Sequence, residues 1–345
     1  MHKNSATERS GFTMLELLLT LSVISVLMAL IIPSVLAMRE SSRRLRCQSN
    51  LRQLGHAIHG YVSAHGSLPA VAPAQRRERR KSSDNTSALT MLLPWLDQSA
   101  LAEKLQKYRP LALTKCEMCV TDHELCRLVM TPIELLRCPS DQNKGLNNYV
   151  FCLGADAVAT VDPRSQFWGL GPFPLTGSLP LSDVRDGTSN TAAVSERLTG
   201  SEDDTEFDQR RDFWLSGVED LFDGRGAWPV GNSDLTSICD AARPQSGRFR
   251  SNFGWSWAFG RYDTTCYNHV VTPNSSHVSC STRSVSEVFR GANHGVFRAT
   301  SMHSGGVNQL LLDGSVRFIS NDVSQNVYRA LGTRDGAELL NSNEF

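Results

Sequence analysis

Two clusters of residues have types and spacings that could do chemistry. The first is HSGGVNQLLLDGSVRF (303–318), which holds His303 and Asp313. A histidine and a carboxylate serve as a general base and its orienting partner when they lie within hydrogen-bond reach. Spacing argues against that here. Ten residues of extended chain cover about 33 Å, and even with the chain folded back at Gly305 and Gly306 the run VNQLLL holds the two groups about 20 Å apart. The second cluster is CEMCVTDHELC, with Cys116, Cys119, His123 and Cys126 as zinc-type ligands. On a continuous helix, positions i, i+3, i+7 and i+10 form a stripe about 15 Å long. Tetrahedral zinc needs all four donors within about 2.3 Å of one point. No glycine is present to make a knuckle, so disulfides or buried thiols are the better reading. His56, His59 and His65 read as a polar helix edge. No metal ligand and no cofactor is assigned.

The remaining catalytic frames are missing from the sequence: there is no G-x-S-x-G elbow, no H-E-x-x-H and no G-x-x-x-x-G-K phosphate loop. In VRDGTSNT, Asp186-Gly187 predicts a tight turn, with Thr188, Ser189 and Asn190 bonding nearby backbone; an anion or substrate loop is the sharper alternative. Asp313-Gly314 lies between NQLLL and SVRFI, two runs that can pair. Such a two-residue turn of type I′ would set Leu311 opposite Val316 and Gln309 opposite Phe318. Leu311, Val316 and Phe318 would then share a core face with Val307. The acid-rich stretch 201–224 does not match an EF-hand and reads as an exposed excursion. The basic stretch 75–87 reads as an exposed loop, with phospholipid contact as the alternative.

These residues must be positioned by larger elements. The chain has 345 residues, 40% of them hydrophobic, and Lys+Arg balance Asp+Glu at 35 each. It can bury a core, and its balanced charge gives no reason to expect a nucleic-acid partner. Nine cysteines point to an oxidising compartment, and an odd number leaves one unpaired within the chain. Cys266 with Cys280 and Cys138 with Cys152 are candidate disulfides.

From Phe12 to Met38 the only ionisable residue is Glu16. As helix that stretch reaches roughly 40 Å, more than the roughly 30 Å hydrocarbon core of a bilayer. It reads as a membrane span, and no small-residue cleavage site marks it as a secretory signal. A carboxylate near the start of a span should have a partner or a function; a Glu solvated at headgroup level is the bland alternative. The helix should continue beyond the span, with Leu51, Leu54, Ile58 and Tyr61 as its docking stripe, and end at Gly66 and Pro69. ALTMLLPWLDQSALAEKL (88–105) predicts helix broken at Pro94. From Leu136 onward short apolar and aromatic runs separated by Gly, Pro, Asp and Asn predict strands and loops. The fold class is α+β: a long N-terminal helix followed by a β-rich, loop-rich domain.

Gly11-Phe12-Thr13-Met14-Leu15-Glu16, after a short basic leader and before a long apolar helix containing Pro33, resembles the cleavage and methylation motif of type IV prepilins and type II secretion pseudopilins. The resemblance implies cleavage after Gly11 by a prepilin peptidase and N-methylation of Phe12. It also implies that Glu16 neutralises the N-terminal amine of a neighbouring pilin-like subunit, and that the bulk of the chain lies outside the cytoplasmic membrane. Charge alone leaves orientation ambiguous, because Arg39, Arg43, Arg44 and Arg46 follow the span as Lys3 and Arg9 precede it. LLRCPSDQN (135–143), LSDVRDGTSNTAAVSE (181–196), SMHSGGVNQLLLDGSVRFIS (301–320) and ALGTRDGAELL (330–340) are similar to prepilin-like bacterial proteins with a His-x9-Asp-Gly signature. That group is abundant in planctomycetes and is classed as a domain of unknown function. It implies residues 1–11 as leader, 12–38 as the membrane part of the helix, 39–66 as its extension and 67–345 as an extracytoplasmic domain, with no known enzyme activity.

Three functions follow as expectations. A membrane-anchored structural or assembly subunit is the leading one. An anchored module binding glycan or calcium, with Trp168, Trp228, Trp255 and Trp257 as a platform, is the second. A hydrolase using His303 is the third and weakest.

Overall fold

The structure is a computed structural model, and it describes residues 13–71, 86–108, 122–156, 171–174, 177–215, 232–241, 249–281 and 295–338. Gly11 and Phe12, residues 75–85 of the basic stretch, Cys116, Cys119, Trp168 and Trp228 lie outside them; the last two residues of that stretch, Thr86 and Ser87, are buried rather than exposed, because Ser87 caps the helix that starts at Ala88.

Helix α1 runs from Met14 to His65, a length of roughly 78 Å at 1.5 Å per residue. Its start is a capping box. The Thr13 hydroxyl accepts the Glu16 N–H at 3.3 Å, and the Glu16 carboxylate accepts the Thr13 N–H and hydroxyl at 2.9 Å each. Its end is Gly66, whose φ of 75° and N–H bond to the Val62 carbonyl close the last turn in a left-handed conformation that glycine adopts without strain. Between the ends the helix has two halves. The large apolar side chains from Met14 to Met38 are exposed. In that half the hydroxyls of Thr20, Ser22, Ser25 and Ser34 donate to carbonyls of their own helix, the satisfaction a lipid environment demands. Further on, Cys47, Asn50, Leu51, Leu54, Gly55, Ala57 and Ile58 are buried and form one face. Among the described residues, α1 is the one helix long and apolar enough to cross a membrane.

Short helices α2 (Ala88–Leu92) and α3 (Ser99–Gln106) flank a 3-10 turn that contains Pro94, and α4 (His123–Val129) follows. The main sheet is built from β1 (Tyr149–Cys152), β2 (Ala192–Glu196), β5 (Cys266–Tyr267), β8 (Gly306–Leu311) and β9 (Val316–Ser320), in the order β5-β1-β2-β8-β9. Only the β1–β5 pair is parallel. A smaller sheet orders β4 (Phe249–Arg250), β3 (Phe213–Leu215), β6 (Ser279–Ser281) and β7 (Gly295–Val296). Beside it lies α5 (Asn232–Ala241), while α6 (Gln325–Leu331) covers part of the main sheet. Strand alternation sends Tyr149 and Phe151 toward a core shared with Leu51, Leu54 and Ile58 of α1. Val150 and Cys152 point the other way, toward Tyr328 and Leu331 of α6. The sheet is therefore covered on both faces, which is why YVFC reads as a continuous apolar run.

Several expectations are corrected. The β8–β9 register is one residue off the expected one: Leu310 faces Val316 and Asn308 faces Phe318. Gly314 has φ 87° but Asp313 does not have positive φ, so the turn is not type I′. Instead Gly314 N–H bonds the Leu311 carbonyl and Leu311 N–H bonds the Ser315 carbonyl, a three-residue loop with a glycine bulge. Val316 therefore joins the α1-side core, while Val307 and Ile319 join the α6 side. Neither candidate disulfide forms. Cys138 pairs with Cys47 and Cys239 with Cys280, leaving Cys152 and Cys266 as buried thiols. Cys126 is disulfide-bonded, in line with the preferred disulfide reading of the 116–126 cluster. The acid-rich excursion has an inner part: Asp212 is buried and Phe213–Leu215 forms β3. Trp255 and Trp257 are buried, so they form no surface platform.

Candidate functional site: a histidine junction on the long helix

Glu40, Arg44, Cys47, Gln48, Leu51, Leu54, Gly55 and Ile58 recur at helical spacing and lie along one face of α1. Its lower part is a hydrophobic seam on the main sheet. Gly55 allows the closest approach: a Cβ there would stand 3.0 Å from the Leu310 side chain. The upper part is polar. Arg44 lies over the Phe318 ring at 3.5 Å, and Gln48 donates to the Asn308 side chain at 3.0 Å. Cys47 is tied to Cys138.

His303 is the centre of this polar part. Its side chain is 1% exposed. Nδ1 meets Glu40 Oε1 at 2.8 Å, Nε2 meets Glu196 Oε1 at 3.4 Å, and Nε2 lies 3.6 Å from Cys138 Sγ. Glu196, the last residue of β2, is buried but satisfied: Asn308 donates its N–H to Oε2 and its side-chain amide to Oε1, both at 2.8 Å. Glu40 also accepts the Ser140 hydroxyl at 3.0 Å. Burial lowers the affinity of His303 for its proton, but the Glu196 and Glu40 carboxylates outweigh it and raise the pKa above the usual histidine value. The ring thus faces one carboxylate on the helix through Nδ1 and one on the sheet through Nε2. The donor atoms of Cys47, Cys138, Glu196 and His303 all lie within 4.8 Å of one another.

The loop after Cys138 is held by a second carboxylate. Asp141 accepts from the Asn148 amide at 2.7 Å, the Thr199 N–H at 2.8 Å and Arg211 at 2.8 Å. Burial opposes its ionisation, but these partners keep its pKa below the usual value.

The remaining singled-out residues lie elsewhere. Asp313 turns back on its own hairpin, accepting the Ser315 N–H at 2.8 Å and hydroxyl at 2.7 Å. It shares no partner with His303. The two Asp-Gly loops meet: the Asp313 N–H donates to the Thr188 carbonyl and the Leu312 N–H to the Thr191 carbonyl, both at 3.0 Å. Gly187 has φ 90°, as the turn requires. The Asp186 carboxylate is filled by the N–H groups of Gly336 at 2.7 Å and Ala337 at 2.9 Å and by the Thr333 hydroxyl. An open anion loop is thereby replaced by a clasp on the C-terminal segment. Glu16 stands at the far end of α1 in its capping box. Residue-by-residue reading misses Glu40, Cys47 and Glu196 and gives Cys138 the wrong partner. The available signals were that Glu40 is the first carboxylate after the span and that Cys47 lies on the stripe face.

A family model described as "Protein of unknown function (DUF1559)" matches residues 36–326. The chain belongs to this family. The DUF1559 match starts just before Glu40 and spans Cys47, Cys138, Glu196 and His303, so the junction lies inside the family's own domain. The DUF1559 chain is also 30% identical over 70 residues to the competence protein ComGC of Halalkalibacterium halodurans. That alignment covers 20% of this chain and 69% of ComGC. No solved structure matches.

Proposed function

We propose that this chain is a pilin-like, membrane-anchored structural or assembly subunit. In this reading it is cut after Gly11 by a prepilin peptidase, methylated on Phe12, and works in a type II secretion or type IV pilus-like system with its domain outside the cytoplasmic membrane. The supporting observation is the split character of α1. One half presents an apolar surface that the other described residues leave uncovered; the other is fastened to the domain by a hydrophobic seam, a disulfide and the His303 junction. A helix built this way transmits position from a membrane or a bundle of like helices to a rigid head. The similarity to ComGC supports the same reading. No catalytic role is assigned.

Glu16 acts at assembly. Its carboxylate sits at the helix start, on the partial positive charge of the helix N-terminus, three residues after Thr13. Cleavage after Gly11 would place a methylated amine one residue before Thr13. The amine of a neighbouring subunit then competes with the Thr13 donors for the same oxygens. Mass spectrometry of the mature N-terminus tests the processing: a chain that keeps its leader in the native membrane contradicts it. Glu16→Val should insert into the membrane but fail to assemble with pilin-like subunits. Assembly at wild-type level in that variant would remove the proposed role of Glu16.

A further inference from the structure

The junction joins helix to domain, but its four buried donors also have the composition of a metal centre. We infer that the dithiol form of the junction is a zinc site, in which Cys47, Cys138, Glu196 and His303 supply two sulfurs, one oxygen and one nitrogen. The Cys47–Cys138 disulfide is the alternative closure of the same two sulfurs. This inference does not depend on the assembly role proposed above.

The geometry supports it in three ways. Tetrahedral zinc with thiolate, imidazole and carboxylate ligands holds neighbouring donors about 3.3–3.8 Å apart. His303 Nε2 already stands 3.4 Å from Glu196 Oε1 and 3.6 Å from Cys138 Sγ. The two sulfurs must part, at cysteines whose Cα atoms are 5.4 Å apart, and all four donors already lie within 4.8 Å of one another. Second, the outer contacts are those of a metal-ligating histidine. Glu40 on Nδ1 at 2.8 Å fixes the tautomer that leaves the Nε2 lone pair facing the sulfurs. Asn308, itself held by Gln48, donates twice to Glu196 and fixes its plane. Third, two thiolates and an imidazole select a borderline-soft ion such as Zn²⁺ over Mg²⁺ or Ca²⁺.

Both closures balance. Loading the dithiol with Zn²⁺ releases two thiol protons, and any proton on Nε2, and forms two zinc–sulfur bonds. Oxidation breaks those bonds and joins the sulfurs; two electrons pass to a disulfide oxidant such as oxidised glutathione, which takes up two protons from solvent and leaves as two thiols, and zinc departs as the aqua ion. Either closure ties α1 to the domain.

The test uses the full chain in detergent micelles, reduced with a phosphine, desalted, and given zinc chloride alone. Iodoacetamide labelling followed by peptide mass mapping reads each cysteine of the wild-type chain with and without zinc. Zinc should protect Cys47 and Cys138. Unchanged labelling of these two overturns the inference without any variant having to fold. Metal analysis should find one more zinc per chain than in Cys47→Ser/Cys138→Ser. His303→Ala, which keeps every thiol, should lose that ion. Glu40→Gln should keep it but bind about 10- to 100-fold more weakly. Equal zinc in wild type and double variant, or undiminished affinity in His303→Ala, overturns the site. Oxidised glutathione should then release this zinc as the Cys47–Cys138 peptide pair appears; release without that pair counts against it.

Discussion

His303 joins two elements through both ring nitrogens, Nδ1 to Glu40 on α1 and Nε2 toward Glu196 on β2. Removing the ring leaves Glu196 buried without its imidazole partner. His303→Ala should therefore destabilise the disulfide-bonded chain by about 3 kcal/mol. Asp313→Ala loses only exposed turn bonds to Ser315, at about 1 kcal/mol. Urea unfolding of both variants checks the order, and equal losses would contradict it. His269 works with the opposite sign. Its Nδ1–H donates to the Tyr328 carbonyl at 2.6 Å and its Nε2 accepts the Tyr267 hydroxyl at 2.8 Å, so the buried ring is matched as the neutral form. Burial lowers its pKa to about 4. The unfolded chain takes up this proton near pH 6.5 and the folded chain only near 4. Stability from His269 is thus complete above 6.5 and declines as pH falls, by on the order of 3 kcal/mol at pH 4. Melting temperatures across that window should drop less in His269→Gln than in wild type.

At the scale of the element, α1 works by shape as much as by polarity. Gly60 packs against Trp95, where a Cβ would come within 2.4 Å of the indole. The alanine gain in helix propensity is about 1 kcal/mol, and overpacking against a rigid ring costs about 1–3 kcal/mol. Gly60→Ala should come out destabilised, with altered Trp95 fluorescence. A neutral or stabilised variant would show that the helix does not press on Trp95. The stripe Leu51, Leu54, Ile58 is legible as a 3.6-residue period because each contact is to the same side of one element. The β8–β9 hairpin was less legible. Asp-Gly suits two turn types, and the choice rests on whether Asp313 takes positive φ, which neighbouring loops decide through the Thr188 and Thr191 carbonyls.

For the whole molecule, the question is what keeps helix and domain one body. The Cys47–Cys138 bond closes a separation of 91 residues and the Cys239–Cys280 bond one of 41. In the chain-entropy account each is worth roughly 4–5 kcal/mol, so location matters more than loop length. The first bond pins α1; the second ties α5 to β6. Cys47→Ala/Cys138→Ala should therefore let the helix open and be cut by trypsin at Arg43, Arg44 and Arg46, whereas Cys239→Ala/Cys280→Ala should leave the helix uncut there. Similar digestion of the two variants would place the fastening elsewhere.

The sequence by itself determined the long apolar helix, its seam, its glycine end, the Pro94 break and the α+β character of the chain. These depend on hydrophobic transfer and backbone propensity, which neighbouring residues set. Tertiary structure decided which cysteines pair, which carboxylates face His303 and which face of the hairpin is the core. The Glu40–His303 bond bridges 263 positions. No local term encodes a contact at that range. It exists because α1 docks on β8 through Gly55 and Leu310, and that docking brings the two carboxylates and the two sulfurs around one ring.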